Sequence, residues 1–442
     1  MISSESDSRA IRKVVAASLI GTTIEWYDFF LYGIIAGLVF NKLYFPSHDP
    51  AVGTMLAYAT FGVGFIARPI GGIFFGHFGD RVGRKSMLVL TLGLMGVATF
   101  LIGVIPTYGS IGIWAPILLL LCRIVQGLGL GGEWGGAVLM TYEYAPEKKR
   151  GFYASLPQIG VGLGLCLGTG VTALLSNLLT DTQFFDWGWR LAFMLSAVLV
   201  FVGLYIRLTL QETPAFSKIK KDNAEAKIPF LDLIKRYPGN ILKGMGVRYI
   251  EGVFFNVFAV FSINYLTETV KINRTEALTG VMAAAFVMCF FIPFFGALSD
   301  RYGRTRTYIW GSLITAFSSL PAFWLMANYS DSVMIVWLAI IIPFGIFYAA
   351  IYGPEAALFC ELFDTKVRYS GISFVYQFSG IFASGITPMI ATALLKSNGG
   401  QPWFIVAYVI FAGLVSAYSA WLIGRSSRRM TEARVSWVGK AP

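Results

Sequence analysis

Glu25 and Asp28 interrupt an otherwise apolar stretch, and Tyr32 follows them at i+7, so the three side chains share one face of a helix. An ionised group inside hydrocarbon costs about 2.5 to 3.5 kcal/mol, which makes such residues functional candidates by default. Arg123 interrupts a second apolar stretch at a similar depth. The chemistry this pairing offers is reversible proton exchange. Desolvation favours a neutral acid and a nearby guanidinium favours a carboxylate, so gaining or losing the partner switches proton binding. A guanidinium released in this way presents a planar fork that fits the carboxylate of a ligand. Either Asp28 or Glu25 can be the titrating group, with Asp28 preferred. Glu133, in a run of glycines, is a further candidate for coupling or gating. Arg248 and Glu251 sit three residues apart and either compensate each other or handle substrate or proton. Tyr376 and Gln377 are candidates for hydrogen bonding to a hydroxylated ligand. Glu355 is expected to face the same space, whereas Arg68 reads as a structural residue that snorkels.

Such residues need a frame, and the chain has twelve apolar stretches of about 20 residues, each long enough to cross about 30 Å of hydrocarbon as a helix. They run approximately 14–40, 52–77, 86–106, 113–141, 151–178, 187–209, 241–267, 275–298, 307–327, 332–360, 369–395 and 403–424. With 56% hydrophobic and only 13% charged residues, the composition is that of a membrane protein. The polarity does not alternate as a β-barrel's would. Most of the 35 Lys and Arg, with Arg207 counted among them, fall on one side of the predicted membrane. The positive-inside rule then explains the net charge of +11 and places both termini in the cytoplasm, with no nucleic-acid partner needed. Cys122, Cys166, Cys289 and Cys360 lack disulfide or zinc spacing, and His48 and His77 are too few for a histidine-based metal centre. Gly127 to Gly132 matches a dinucleotide-binding pattern but lies inside an apolar helix without a preceding strand. No metal and no cofactor are expected.

The segment Gly76-His77-Phe78-Gly79-Asp80-Arg81-Val82-Gly83-Arg84-Lys85 returns as Gly296-Ala297-Leu298-Ser299-Asp300-Arg301-Tyr302-Gly303-Arg304-Thr305. Glu143 and Arg150 keep the same separation as Glu361 and Arg368. Two copies of a six-span unit follow. The expected organisation is a cytoplasmic N-terminus (1–13), a six-helix bundle (14–209), a polar linker (210–240), a second six-helix bundle (241–424) and a cytoplasmic tail (425–442). Both ends are expected to be loose, and residues 230–236 of the linker to form a short helix on the inner leaflet.

On these motifs the chain resembles the major facilitator superfamily, whose signature loop joins the second and third spans and recurs between the eighth and ninth. It is similar in particular to the metabolite:proton symporters, the group containing shikimate, α-ketoglutarate and proline/betaine permeases. That resemblance rests on Glu25-Trp26-Tyr27-Asp28-Phe29, Arg123 through Gly131-Gly132-Glu133-Trp134-Gly135-Gly136, Trp187-Gly188-Trp189-Arg190 and Val367-Arg368-Tyr369-Ser370-Gly371. It implies an all-α integral membrane carrier of twelve helices, not an enzyme, in the inner membrane. The carrier is expected to act as a monomer and to couple protons to import of a small organic acid by alternating access. Shikimate or a similar hydroxylated monocarboxylate is the first expectation, a dicarboxylate or a zwitterion the second, and a passive channel or membrane enzyme is disfavoured. In the unloaded state Asp28 is expected to hold Arg123. The residues Gly76, Asp80, Arg81, Gly83, Arg84, Glu143 and Arg150, with Asp300, Arg301, Arg304, Glu361 and Arg368, are expected to gate the cytoplasmic side.

Overall fold

In a computed structural model, described for residues 2–46, 50–213, 217–218, 221 and 229–438, the chain is almost entirely helical. Eleven helices among the described residues are long and apolar enough to cross a membrane: α1 (Ala10–Leu43), α3 (Arg84–Val104), α4 (Trp114–Tyr144), α5 (Glu147–Leu178), α6 (Asp181–Leu208), α7 (Pro238–Thr269), α8 (Thr275–Tyr302), α9 (Arg304–Asn328), α10 (Val333–Glu361), α11 (Arg368–Ser397) and α12 (Trp403–Ser426). The helix α2 (Pro50–Arg81) completes the set. They form two six-helix bundles, α1–α6 and α7–α12. Large apolar side chains such as Phe201, Phe290, Trp310 and Met389 point outward, as lipid-facing residues must.

The sequence repeat reappears as geometry. Gly83 and Gly303 take φ of 138° and 94°, a conformation that disfavours residues with a Cβ, and each turns the chain sharply into the next helix. One turn widens to π geometry at Ala36–Phe40 in α1 and again at Val257–Phe261 in α7, at matching points of the two halves. In α5, Gly160, Gly164 and Gly168 let α1 approach closely, and a Cβ on Gly164 would lie 2.5 Å from that of Trp26.

The ends and the linker differ from expectation. The first helix already begins at Ile2 and the last runs unbroken to Val438, so the segments expected to be loose continue their spans. Linker residues 214–216, 219–220 and 222–228 lie outside the described residues. A linker helix, Pro229–Arg236, follows them. Its apolar face is seated on protein: Leu233 is fully buried, and Phe230 meets Phe374 of α11 edge-on at 5.5 Å. The helix also touches α2, and so straddles both bundles. Beyond it, Tyr237 donates to Asp364 in the α10–α11 loop. Burial, reinforced by that carboxylate, pushes the phenol up to about 12.

Candidate functional site

Asp28 of α1 lies wholly inside the N-terminal bundle. Its carboxylate accepts from Thr99 Oγ1 of α3 at 2.9 Å and from Ser196 Oγ of α6 at 2.5 Å. A hydroxyl has one hydrogen to give, so Thr99, having given its own to Asp28, accepts from Gln126 Nε2 at 2.6 Å. Gln126 Oε1 in turn accepts from Arg123 Nη1 at 2.9 Å. Donors therefore run in one sense, from Arg123 through Gln126 and Thr99 to Asp28, and a negative charge on Asp28 fixes that sense. No direct ion pair joins Asp28 to Arg123, contrary to expectation. Both sequence-predicted residues belong to one network, but two uncharged side chains fill the gap between them. The Arg123 guanidinium stands 4.2 Å from the centre of the Tyr32 ring, and the Tyr32 hydroxyl donates to Thr60 at 2.6 Å because Thr60 has given its hydrogen to the Ala57 carbonyl.

A second charged group lies nearer the face that carries the signature loops. Glu133 of α4 pairs through both oxygens with Arg207 of α6 and accepts from Thr91 at 3.0 Å. Arg207 also donates to the Leu88 carbonyl at 2.7 Å. It is only 1% exposed, so the assignment of Arg207 to the basic residues of the aqueous face is corrected: its acid lies inside the bundle and draws it there.

Between the bundles, Arg248 and Glu251 of α7 form the ion pair their spacing suggested, and Tyr348 of α10 donates to Glu251 at 2.8 Å. Arg248 covers the Tyr376 ring at 3.9 Å, and Tyr376 of α11 stacks on Trp134 of α4 with centres 3.6 Å apart. Gln377 donates to the carbonyls of Leu130 and Gly131, each at 3.3 Å, so in this conformation it closes the boundary between the bundles. Glu355 is fully buried with neither oxygen hydrogen-bonded among the described residues. Arg68 does not snorkel away. Its guanidinium lies between Phe65 and Phe29, at 4.4 and 4.9 Å from the ring centres, and within the electrostatic reach of Glu25, Arg248 and Tyr376.

The signature loops lock the two bundles reciprocally. Asp80 accepts the backbone N–H groups of Tyr369 and Ser370, at 3.2 and 2.8 Å, at the start of α11. Asp300 accepts those of Gly151 and Phe152, at 2.8 and 2.9 Å, near the start of α5. Each acid thus meets the positive end of a helix from the opposite half. Arg84 holds Asp80 at 3.2 Å, approaches Glu143 at 3.7 Å and donates to the Thr365 carbonyl at 2.8 Å. Arg304 holds Asp300 at 2.7 Å and Glu361 at 3.1 Å. Arg368 crosses to Glu143 at 3.3 Å, while Arg150 reaches Glu147 at 4.0 Å. Arg81 and Arg301 instead lie exposed, so only the second arginine of each loop enters the lock. The described hydrogen bonds and ion pairs that join the bundles all lie at this face or near mid-depth, and the loop side is therefore shut.

The family model for "Sugar (and other) transporter" matches residues 13–236, and that for "Major Facilitator Superfamily" matches residues 250–437. The shikimate transporter of Escherichia coli (strain K12) is 43% identical over 95% of this chain and 96% of its own length. The chain belongs to the major facilitator superfamily. The proline/betaine transporter of the same organism, a further relative, is 34% identical over 93% of this chain and 83% of its own. A solved structure of the proton:xylose symporter XylE matches with a TM-score of 0.77 over 94% of this chain and 96% of that one, at 18% identity, and shares the fold. As a member of this superfamily the protein is a membrane transporter for a small molecule and not an enzyme.

Sequence reasoning missed Thr99, Ser196, Gln126 and Arg207. Uncharged polar residues are ordinary in membrane helices, and nothing in spacing marks one that bridges two charges. Arg207 carried no distinguishing signal either: it lies two residues inside the predicted end of its span, about half a turn, within snorkelling reach of the aqueous face.

Proposed function

We propose that the protein is a proton-coupled symporter that imports a small organic acid, with shikimate or a similar hydroxylated monocarboxylate as first substrate. It acts as a single chain in the inner membrane with the signature loops and both termini in the cytoplasm. The observation that carries this reading is the oriented relay from Arg123 to Asp28. An acid held by two hydroxyls and sensed by an arginine through an amide is suited to report its charge to a neighbouring helix. Protonation of Asp28 removes the charge that orders Thr99 and Gln126, and Arg123 is released from its restraint. The substrate then occupies the space between the bundles beside Tyr376, Gln377, Arg248 and Glu251, and the reciprocal lock opens. The symport named for XylE and the substrate named for the shikimate transporter agree with this reading.

A zwitterion such as proline or betaine is the second reading, favoured by the buried acids Glu25 and Glu355, both within electrostatic reach of Tyr376, which suit a substituted ammonium. The test is uptake by proteoliposomes of labelled shikimate, α-ketoglutarate, proline and betaine under an imposed pH gradient. Shikimate is expected to accumulate and a protonophore to collapse the accumulation. Accumulation that ignores the protonophore would remove the coupling, and accumulation of another compound alone would reassign the substrate.

A further inference from the structure

Two complementary groups at the boundary of the bundles are without partners. Glu25 Oε2 and Arg68 Nε are both buried, and among the described residues neither atom has a hydrogen-bond partner. They come from adjacent helices, α1 and α2, and the Arg68 guanidinium lies 4.9 Å from the ring centre of Phe29, one turn along α1 from Glu25. The titratable and charged groups around Glu25 are Asp28 on its own helix, Arg68 on α2, Glu133 on α4, Arg207 on α6 and, across the boundary, the Tyr376 phenol of α11. Those around Arg68, besides Glu25, are Arg248 of α7 and the Tyr376 phenol of α11, across the boundary. Arg207 is committed to Glu133 and Arg248 to Glu251, whereas Arg123 is turned into its own bundle. Among the described residues, that leaves Arg68 as a guanidinium at the boundary with no acid in contact. The rings of Phe29 and Phe65 bracket it and steady its plane.

We propose that Arg68 and Glu25 are the exchange pair of the substrate site: Arg68 receives the substrate's carboxylate while Glu25 holds the proton, and Glu25 reclaims Arg68 when proton and substrate leave. This rests on the reading of the protein as a proton-coupled carrier of an organic acid. The reason is electrostatic. A second carboxylate cannot settle on Arg68 beside an ionised Glu25 without like-charge repulsion in a poorly screened site, so proton and anion bind together and depart together. One proton accompanies one monocarboxylate at this pair, and the load adds no net charge.

The test compares shikimate with its methyl ester, a near-isostere without charge, as competitors of labelled shikimate in exchange by full-length protein in liposomes. Wild type is expected to prefer the acid by about 10- to 100-fold, the range for a charge-assisted hydrogen bond. Arg68→Gln is expected to bring the two within about threefold while the ester still competes, an outcome that a purely structural loss would not give. Should Arg68→Gln fail to fold, proton uptake decides: shikimate added to weakly buffered Glu25→Gln protein should take up one proton fewer per molecule bound than it does with wild-type protein. Retained acid preference in Arg68→Gln, or unchanged proton uptake in Glu25→Gln, overturns the pair alone. Wild-type protein that takes up no acid of the panel overturns the transport reading on which the pair depends. If another acid is taken up, that acid and its methyl ester serve as the probes.

Discussion

Arg207 closes on Glu133 in a space that exists because residue 21 has no side chain. A Cβ on Gly21 would stand 2.7 Å from the guanidinium carbon of Arg207 and 2.9 Å from Glu133 Oε1. Gly21→Ala should therefore push the pair apart and lower the melting temperature of the detergent-solubilised protein. Glu133→Gln and Arg207→Gln each leave a charge buried and unpaired, at about 3 to 5 kcal/mol. The double variant should lose clearly less than the sum of the two. Additive losses in a thermal double-mutant cycle would mean that the two side chains do not depend on each other.

The relay from Arg123 to Asp28 can be cut at three points. Asp28→Asn should abolish accumulation against a gradient in proteoliposomes while leaving exchange of labelled for unlabelled substrate. Thr99→Val and Gln126→Leu each remove two hydrogen bonds of the relay without altering a formal charge, and should lower the accumulation ratio several-fold. Uphill uptake preserved in Asp28→Asn would take this acid out of the mechanism.

The reciprocal acids of the two loops differ in burial. The Asp80 side chain is fully enclosed and that of Asp300 is 10% exposed. Loss of such a helix-terminal contact costs about 0.5 to 2 kcal/mol, or roughly 2- to 30-fold in the population of the shut form. In protein whose other three cysteines are serine, Asp80→Ala should speed alkylation of the buried Cys360 more than Asp300→Ala does. Equal rates in all three proteins would show that these contacts do not hold the face shut.

Arg81 and Arg84 look equivalent in the motif and are not. Arg84 is fully buried against Asp80, Glu143 and the Thr365 carbonyl, while Arg81 lies at the surface. Arg81→Gln should shift stability by no more than about 0.5 kcal/mol and leave transport intact. Arg84→Gln should impair both, and the same contrast should hold between Arg301 and Arg304. Comparable defects from Arg81→Gln and Arg84→Gln would contradict the placement.

The twelve helices and their two-fold repetition were legible because the length of an apolar run and the duplicated loop are local signals. Asp28 and Arg123 were legible for a related reason, since a charge in an apolar run stands out wherever its partner lies. Their connection was not: Thr99 and Ser196 come from α3 and α6, and which hydroxyls converge on an acid is decided by how helices pack. Arg207 misled because a basic residue near a helix end has a sufficient explanation in membrane topology, until Glu133 is seen beside it. Arg68 misled in the same way, because depth along a helix does not say whether a side chain faces lipid or the other bundle.

The crossed contacts of Asp80 and Asp300 mean that each half of the molecule carries part of the address of the other. Two polypeptides divided within the linker, between residues 222 and 228, would still find one another in a membrane by these two handshakes. The covalent tether would then serve chiefly to keep the halves in equal number and at close quarters. A gene duplicated and fused in this way inherits a ready-made rule for assembly.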